Sequence, residues 1–261
     1  MLNLIGNIFI WIAVIGVLPM MTLPLAWGIA GDKRPAAGLV WFVLTFAISG
    51  AGLLFTHLAV DLPAITLTEK YAIWFTAMAV FIGAVSALST PSKFLTHASN
   101  LFSAIARKAG RATMWLIFVM ALVQFASVIL RYVFGINFIW AQESITYMHG
   151  TVFLIAGGYA LLTNDHVRVD IFYRDASANH KARVDLIGTY LFLFPFCLLL
   201  LWTAAPYVGN AWAVGEGSTE QSGIQGVFLL KTLIPLFAIL LSMAGFVIAA
   251  KATKTLKGNA S

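Results

Sequence analysis

The side chains best suited to chemistry lie close together in the segment "HVRVD", residues 166–170. The stretch around it, "TNDHVRVDIFYR" at residues 163–174, holds two acids, two arginines and a histidine, in a chain that is 61% hydrophobic and 10% charged. His166, Arg168 and Asp170 alternate with apolar residues, and this period of two predicts an extended segment with one polar and one apolar face. The carboxylate of Asp170 is placed to accept hydrogen bonds from Arg168, Arg174 or His166. Three interpretations are open: a turn that joins two helical hairpins, a contact with a partner subunit, and a ligand or ion site.

The composition indicates an integral membrane protein. The mean hydropathy is +0.91, and the 20 Phe and 8 Trp lie among long uncharged runs that exceed the needs of one soluble core of 261 residues. Neither a basic segment nor a small-residue cleavage site precedes the first apolar run, so we expect that run to be a retained span. The single cysteine, Cys197, excludes an intrachain disulfide and any cysteine cluster for zinc or iron–sulfur. The net charge of +6 comes from bases dispersed at the ends of apolar runs, which argues against a nucleic-acid partner.

Seven apolar stretches are long enough to cross a bilayer, which takes about 20 residues. The predicted fold class is therefore all-α, an integral membrane protein with about seven transmembrane helices. The first stretch contains Pro19 and Pro24, and a proline inside a helix removes a backbone hydrogen bond, so a kinked pair of helices is the alternative to one span there. The stretches are approximately residues 4–29, 38–60, 70–88, 112–134, 140–163, 184–208 and 227–250.

Lysine and arginine predict the orientation in the membrane. With the N-terminus outside, most of the 16 lysines and arginines fall on inner segments, and Lys70, Arg131 and Lys231 are left near the outer ends. The positive-inside rule therefore predicts an outer N-terminus and an inner C-terminus. In this orientation the "HVRVD" segment faces the cytoplasm.

A short amphipathic helix is predicted at residues 90–110, between the third and fourth spans. Thr90 suits its cap, Pro91 its first position and Gly110 its end. Apolar residues recur at helical spacing while bases occupy other faces; a helix on the inner membrane surface and a linker packed on other protein both give this pattern. The predicted domains are an extension of about three transmembrane helices at 1–89, the interfacial helix at 90–110 and a four-helix domain at 111–261.

The fifth span opens with an aromatic residue and an acid. Trp140 lies where an interfacial aromatic belongs, and Glu143 follows one helical turn later on nearly the same face. A carboxylate so close to hydrocarbon needs a partner, and Arg131 can supply one across the short "FGIN" turn. The alternative is that Glu143 reaches the outer headgroup layer.

Small residues follow along the same span. Gly157 and Gly158 give the helix a smooth surface for close packing. A partner subunit and another helix of this chain are equally suited to that surface.

A helix is predicted to restart after the polar segment. Ser177 is suited to cap a helix that begins near Ala178. Lys181 and Asp185 are spaced as an i,i+4 ion pair on it.

Taken in order, these features resemble the small membrane (Q-type) subunit of TRAP (tripartite ATP-independent periplasmic) transporters. They are the tryptophan and glutamate that open a span, the glycine pair within it, "HVRVD" at its inner end, and the basic helix that follows. The resemblance covers residues 92–257 and includes the acidic, glycine-containing outer loop "VGEGSTEQSG". The family's usual form has four spans, so the first 90 residues are a departure and resemble the enlarged small subunits of some branches.

The resemblance implies a transporter subunit of the bacterial inner membrane and not an enzyme. Its partners would be a large elevator-type membrane subunit, a periplasmic substrate-binding protein and membrane lipids, and the complex would import an organic acid anion on a sodium gradient. This chain would act as a scaffold without a cofactor of its own, with sodium bound by the large subunit. The candidates for structural or subunit contacts are Trp140, Glu143, Arg131, Gly157, Gly158, His166, Arg168 and Asp170.

Two other classes of function compete with this interpretation. A haem-binding membrane anchor of a redox complex needs two facing axial histidines, for which His57 and His149 are the candidates. A stand-alone channel or transporter is the second alternative. Hydrolases are disfavoured because the chain has no Gly-x-Ser-x-Gly, His-Glu-x-x-His or phosphate-binding glycine motif.

Overall fold

The structure is a computed structural model that describes residues 4–60, 64–88, 90–165 and 173–258. For residues 52–60, 64–74 and 88 it describes the backbone only. The described residues form seven long helices: α1 Leu4–Ala30, α2 Arg34–Val60, α3 Ala64–Leu88, α4 Pro91–Val133, α5 Ile139–Thr163, α6 Ala178–Val214 and α7 Val227–Gly258.

Length and hydropathy agree with a membrane protein. Among the described residues, six helices contain an apolar stretch long enough to cross a bilayer, and α3 contributes the shorter apolar stretch Phe75–Ala87. The predicted all-α membrane fold is therefore confirmed. Helices dominate because hydrocarbon offers no partner for backbone N–H and C=O groups, and a helix satisfies them within one segment.

The first span is one helix that widens locally before a proline. Residues Ile12–Val17 form a π-helical turn, and the N–H of Leu18 donates to the carbonyl of Ala13, five residues back. Pro19 follows immediately. A proline has no N–H to give, so a shift of hydrogen-bond register beside it sacrifices little. The alternative of two separate kinked helices is not what the chain adopts.

The same device recurs in α6. Its π-helical turn is Thr189–Leu193, where the N–H of Phe194 donates to the carbonyl of Thr189. Pro195 comes next in the sequence. In both π turns, the second residue after the turn is therefore a proline.

The chain folds into two compact units, each assembled from separated segments. The first unit comprises Met1–Ile10, Phe102–Val167 and Phe196–Ala244. The second comprises Trp11–Leu101, Arg168–Pro195 and Gly245–Ser261. The division predicted at residues 89 and 110 stays a prediction, but the second unit places most of the predicted extension together with the end of α7.

Polar contacts join the helices of the second unit inside an apolar surrounding. The hydroxyls of Thr22 and Thr45, both buried, lie 2.6 Å apart. The indole of Trp41 donates to the carbonyl of Pro19 at 2.8 Å, and the hydroxyl of Tyr190 donates to the carbonyl of Met21 at 2.6 Å. Since an unpaired polar group in hydrocarbon is costly, these bonds fix α2 and α6 against α1.

The predicted end of the amphipathic helix at Gly110 is wrong, because α4 runs unbroken from Pro91 to Val133. Gly110 lies inside this helix, where a Cβ would overlap the ring of Tyr159. The glycine therefore allows a close approach between α4 and α5 in the first unit and does not terminate the helix.

The turn between α1 and α2 supplies an acid to the start of α4. The carboxylate of Asp32 accepts from the backbone N–H of Ser92 at 3.1 Å and from the indole of Trp27 at 3.2 Å. The ammonium of Lys257 lies 4.6 Å from the centre of the Trp27 ring. Burial alone would raise the pKa of Asp32, but the hydrogen bonds from Ser92 and Trp27 and the charge of Lys257 outweigh it and lower that pKa. Its contribution to stability is therefore present above the ordinary carboxyl pKa and is lost as pH falls through the lowered value.

Replacing Tyr190 by Phe should destabilise the second unit. The change removes the hydroxyl that donates to Met21 and leaves that carbonyl with one partner fewer. We expect a loss of about 0.5–1.5 kcal/mol in the free energy of unfolding, measured by denaturant titration in mixed micelles. Tyr132→Phe is the matched control, since Tyr132 is 79% exposed. Equal stabilities of the two variants would contradict the role given to the Tyr190 bond.

Candidate functional site at the loop between α6 and α7

His166, Arg168 and Asp170 lie outside the described residues, so the three interpretations of "HVRVD" stay predictions. On its N-terminal side, α5 ends with Asn164 in the left-handed conformation, at φ 59°. A residue in the left-handed conformation commonly terminates a helix, and asparagine adopts that conformation more readily than most residues do.

The helix predicted to restart after this segment begins at Ala178, as expected. The side chain of Ser177 caps it by accepting from the N–H of His180 at 3.3 Å. The ion pair predicted between Lys181 and Asp185 is wrong. The carboxylate of Asp185 accepts from the hydroxyl of Tyr173 at 3.0 Å, and Lys181 donates to a backbone carbonyl at 2.8 Å.

The best-formed polar cluster lies in the first unit and centres on Glu143. Its carboxylate accepts a hydrogen bond from the hydroxyl of Ser218 and another from the backbone N–H of Ile224 at 2.6 Å. Both donors belong to the loop at residues 215–226, which follows α6. A Cβ at Gly223 would collide with Ser218 and Glu143, so glycine is required for this close approach.

Of the two interpretations of Glu143, the structure does not form the ion pair with Arg131. Arg131 is exposed, and its guanidinium lies 6.0 Å from the centre of the Tyr132 ring. Glu143 finds its partners 75 and 81 residues further along the chain. The loop supplies a hydroxyl and a backbone N–H to the Glu143 carboxylate.

A second carboxylate, Glu216 of the 215–226 loop, forms an ion pair with Lys231 of α7. The ammonium of Lys231 contacts both oxygens of Glu216, at 2.6 and 2.7 Å. The same ammonium lies 4.1 Å from the centre of the Tyr207 ring on α6. A cation held by a carboxylate and an aromatic face joins α6, the loop and α7. From the sequence, Lys231 is only a base near an outer helix end; the signal for its partner is Glu216, the first of the two glutamates in "VGEGSTEQSG".

Aromatic packing joins the end of α6 to the start of α7 beside this loop. The indole of Trp212 donates to the hydroxyl of Thr232 at 2.8 Å, and its ring lies edge-on to Phe228 at 4.6 Å between centres. The N–H of Phe228 donates to the carbonyl of Glu216 at 3.2 Å. The loop is therefore held by side-chain and backbone bonds on both flanks.

The two glycines of α5 face α7 of the same chain. A Cβ at Gly157 would lie 2.7 Å from the Phe237 ring, and one at Gly158 would lie 2.9 Å from the carbonyl oxygen of Leu240. Both distances are shorter than side chains tolerate. Of the two interpretations of this smooth surface, the structure supports a contact within the chain.

The remaining candidate, Trp140, lies at the start of α5. It is 53% exposed, and its ring centre is 5.9 Å from that of Phe138, the residue before the helix. An exposed aromatic at a helix end is typical of an interfacial anchor.

The chemistry available to this cluster is structural. Glu143 and Glu216 are both engaged by donors of the same chain. Within the described ranges, no three His, Cys, Asp or Glu side chains come together as a metal site. The arrangement holds the 215–226 loop against α5 and α7 with two satisfied carboxylates.

Glu143→Gln should lower the free energy of unfolding by about 1.5–3 kcal/mol, since a hydrogen bond to a charged group contributes about that much. A double-mutant cycle with Ser218→Ala should give a coupling on the order of 1 kcal/mol, because the two side chains are bonded. The matched cycle of Glu143→Gln with Arg131→Gln should give none. The measurement is the free energy of unfolding of the four proteins in each cycle. Coupling to Arg131 and not to Ser218 would restore the ion pair and overturn the bonding described above.

Comparisons with known proteins agree with the resemblance seen in the sequence. The family model described as "Tripartite ATP-independent periplasmic transporters, DctQ component" matches residues 120–255, just over half of the chain. The C4-dicarboxylate TRAP transporter small permease protein DctQ of Vibrio cholerae serotype O1 (strain ATCC 39315 / El Tor Inaba N16961) is 32% identical over 82 residues, which are 31% of this chain and 35% of that relative. The chain thus spans about a third of the length of the curated relative it matches. No solved structure matches the chain. The chain belongs to the DctQ component family of the tripartite ATP-independent periplasmic transporters, which makes it a membrane component of a transporter and not an enzyme.

Proposed function

We propose that this chain is the scaffold subunit of a sodium-driven, binding-protein-dependent transporter that imports an organic acid anion across the bacterial inner membrane. The family match to residues 120–255 carries the proposal. That range contains all of α5 and α6, together with most of the apolar part of α4 and nearly all of α7. In this proposal the chain widens and anchors the stationary part of the transporter, while a large elevator-type subunit moves substrate and sodium.

The class of substrate rests on the relative. The Vibrio cholerae protein is named as a C4-dicarboxylate small permease. Organic acid anions, dicarboxylates among them, are therefore the class we propose here. The binding protein and the large subunit would select the individual anion.

The proposed orientation has a periplasmic N-terminus and a cytoplasmic C-terminus. It places the 215–226 loop outside and the "HVRVD" segment inside. It rests on the distribution of lysine and arginine at the helix ends.

The haem anchor and the stand-alone channel gain no comparable support. The matched family is a component of a multi-part transporter. His149 is exposed on α5, and the side chain of His57 lies outside the described residues.

Reconstitution tests the proposed function. Liposomes that hold this chain and its large subunit should take up a radiolabelled dicarboxylate only with an inward sodium gradient and the binding protein present. Omission of this chain should abolish uptake. Uptake by this chain alone, or uptake that ignores sodium, would refute the proposal.

The contact with the large subunit is proposed to lie on α4. Four aromatic residues, Trp115, Phe118, Phe125 and Tyr132, follow one another at spacings of three and seven residues and share one face of the helix. Each is between 57% and 79% exposed. This spacing is typical of a helix-to-helix seam, and aromatic side chains are enriched at the centres of interfaces.

The double variant Phe118→Ala with Phe125→Ala should therefore weaken binding of the large subunit about tenfold or more, because each lost aromatic contact at an interface centre costs more than 1 kcal/mol. The readout is the large subunit recovered with the tagged chain at matched expression. Ile117→Ala with Gln124→Ala is the control, since both residues are exposed on α4 and each lies about 100° around the helix from the neighbouring Phe118 or Phe125. Equal recovery with the two double variants would remove α4 as the contact.

A further inference from the structure

A groove of about 520 Å³ lies between α2 and α3 in the second unit. Its lining on α2 extends from Arg34 to Phe42, and its lining on α3 extends from Ala79 to Ala87. The lining residues of each helix recur at helical spacing, so they form one stripe per helix about two turns, or roughly 12 Å, long. The groove has the volume of an ordinary ligand site, for which about 300–1,000 Å³ is typical.

Small side chains make this groove. Gly38, Ala79 and Gly83 contribute to its lining, with Leu39 and Phe42 beside them. A Cβ at Gly83 would meet nothing within 4 Å. Leu39 is 64% exposed, so the groove opens to the surroundings of the helices. Along most of its length the occupant would contact only apolar surface.

The charged part of the groove lining lies at one end of the groove, at Arg34. Of the described residues that line the groove, Arg34 alone is charged. Its side chain is exposed, and it forms no ion pair with the described part of the chain. The neighbouring acid, Asp32, is already engaged by Ser92 and Trp27. Lys33, also exposed, adds a second positive charge nearby.

We propose that this groove binds one anionic glycerophospholipid, with an acyl chain along the stripes and the phosphate at Arg34. A ligand with a long apolar part and an anion at one end matches the apolar lining and the terminal arginine of this groove. A membrane lipid has both parts, with its anionic headgroup at the membrane surface. Basic residues at the ends of membrane helices attract such headgroups. The inference depends on the membrane fold and not on the proposed transport function.

The test is native mass spectrometry of the full-length, delipidated chain titrated with phosphatidylglycerol or with zwitterionic phosphatidylcholine. The wild type should bind one phosphatidylglycerol about fivefold more tightly than phosphatidylcholine, the factor expected for one base near an anionic headgroup. Arg34→Gln should abolish this preference. The adjacent Lys33→Gln, which does not alter the lining, should retain most of it.

A second pair of variants tests the apolar part. Gly83→Leu fills the groove and should weaken binding of both lipids several-fold, since the cavity has room for the new side chain. Gly50→Leu makes the same change on α2, outside the groove and also with open space around it, and should bind as the wild type does. Circular dichroism confirms that each variant folds.

The outcomes separate a site from general attraction to the membrane surface. Equal affinity of the wild type for the two lipids, or equal losses in Arg34→Gln and Lys33→Gln, would overturn the headgroup assignment. Unchanged binding in Gly83→Leu would overturn the acyl-chain assignment.

Discussion

Hydrocarbon offers no hydrogen-bond partners, and this constraint decides where polar groups sit in the chain. Thr22 meets Thr45, Trp41 reaches the carbonyl of Pro19, and Tyr190 reaches that of Met21. Each bond connects two helices, and the hydroxyls of Thr22 and Thr45 also lie within hydrogen-bond distance of carbonyls one turn back in their own helices. The specificity of helix packing in the second unit therefore comes from a few polar atoms, since apolar side chains gain little from leaving lipid for protein.

At helix ends the same constraint selects loops that provide donors. The 215–226 loop delivers a hydroxyl and an N–H to Glu143 and a carboxylate to Lys231. Gly223 has a steric reason, because a side chain there would collide with Ser218 and Glu143.

Local rules predicted local structure well. Hydropathy located six helices long enough to span among the described residues, and the serine before Ala178 located a helix start, because both signals come from residues that are near one another in the sequence. The wrong predictions involve partners. Glycine ends many helices and so predicts a terminator at Gly110, yet the ring of Tyr159 on another helix is the reason for this glycine. Proximity in sequence favours an ion pair between Arg131 and Glu143, whereas the partners of Glu143 are 75 and 81 residues away. Spacing along one helix cannot reveal a neighbour that only the tertiary fold brings in.

The N-terminal helices are packed as part of the fold and not as an appendix to it. The second unit combines residues 11–101 with residues 245–261, so the end of α7 shares its packing with α1. Lys257 lies over the ring of Trp27, and a Cβ at Gly28 would lie 3.3 Å from the methyl group of Thr253. The family match ends at residue 255, within this same segment of α7. The N-terminal helices therefore pack against the end of α7 within one polypeptide.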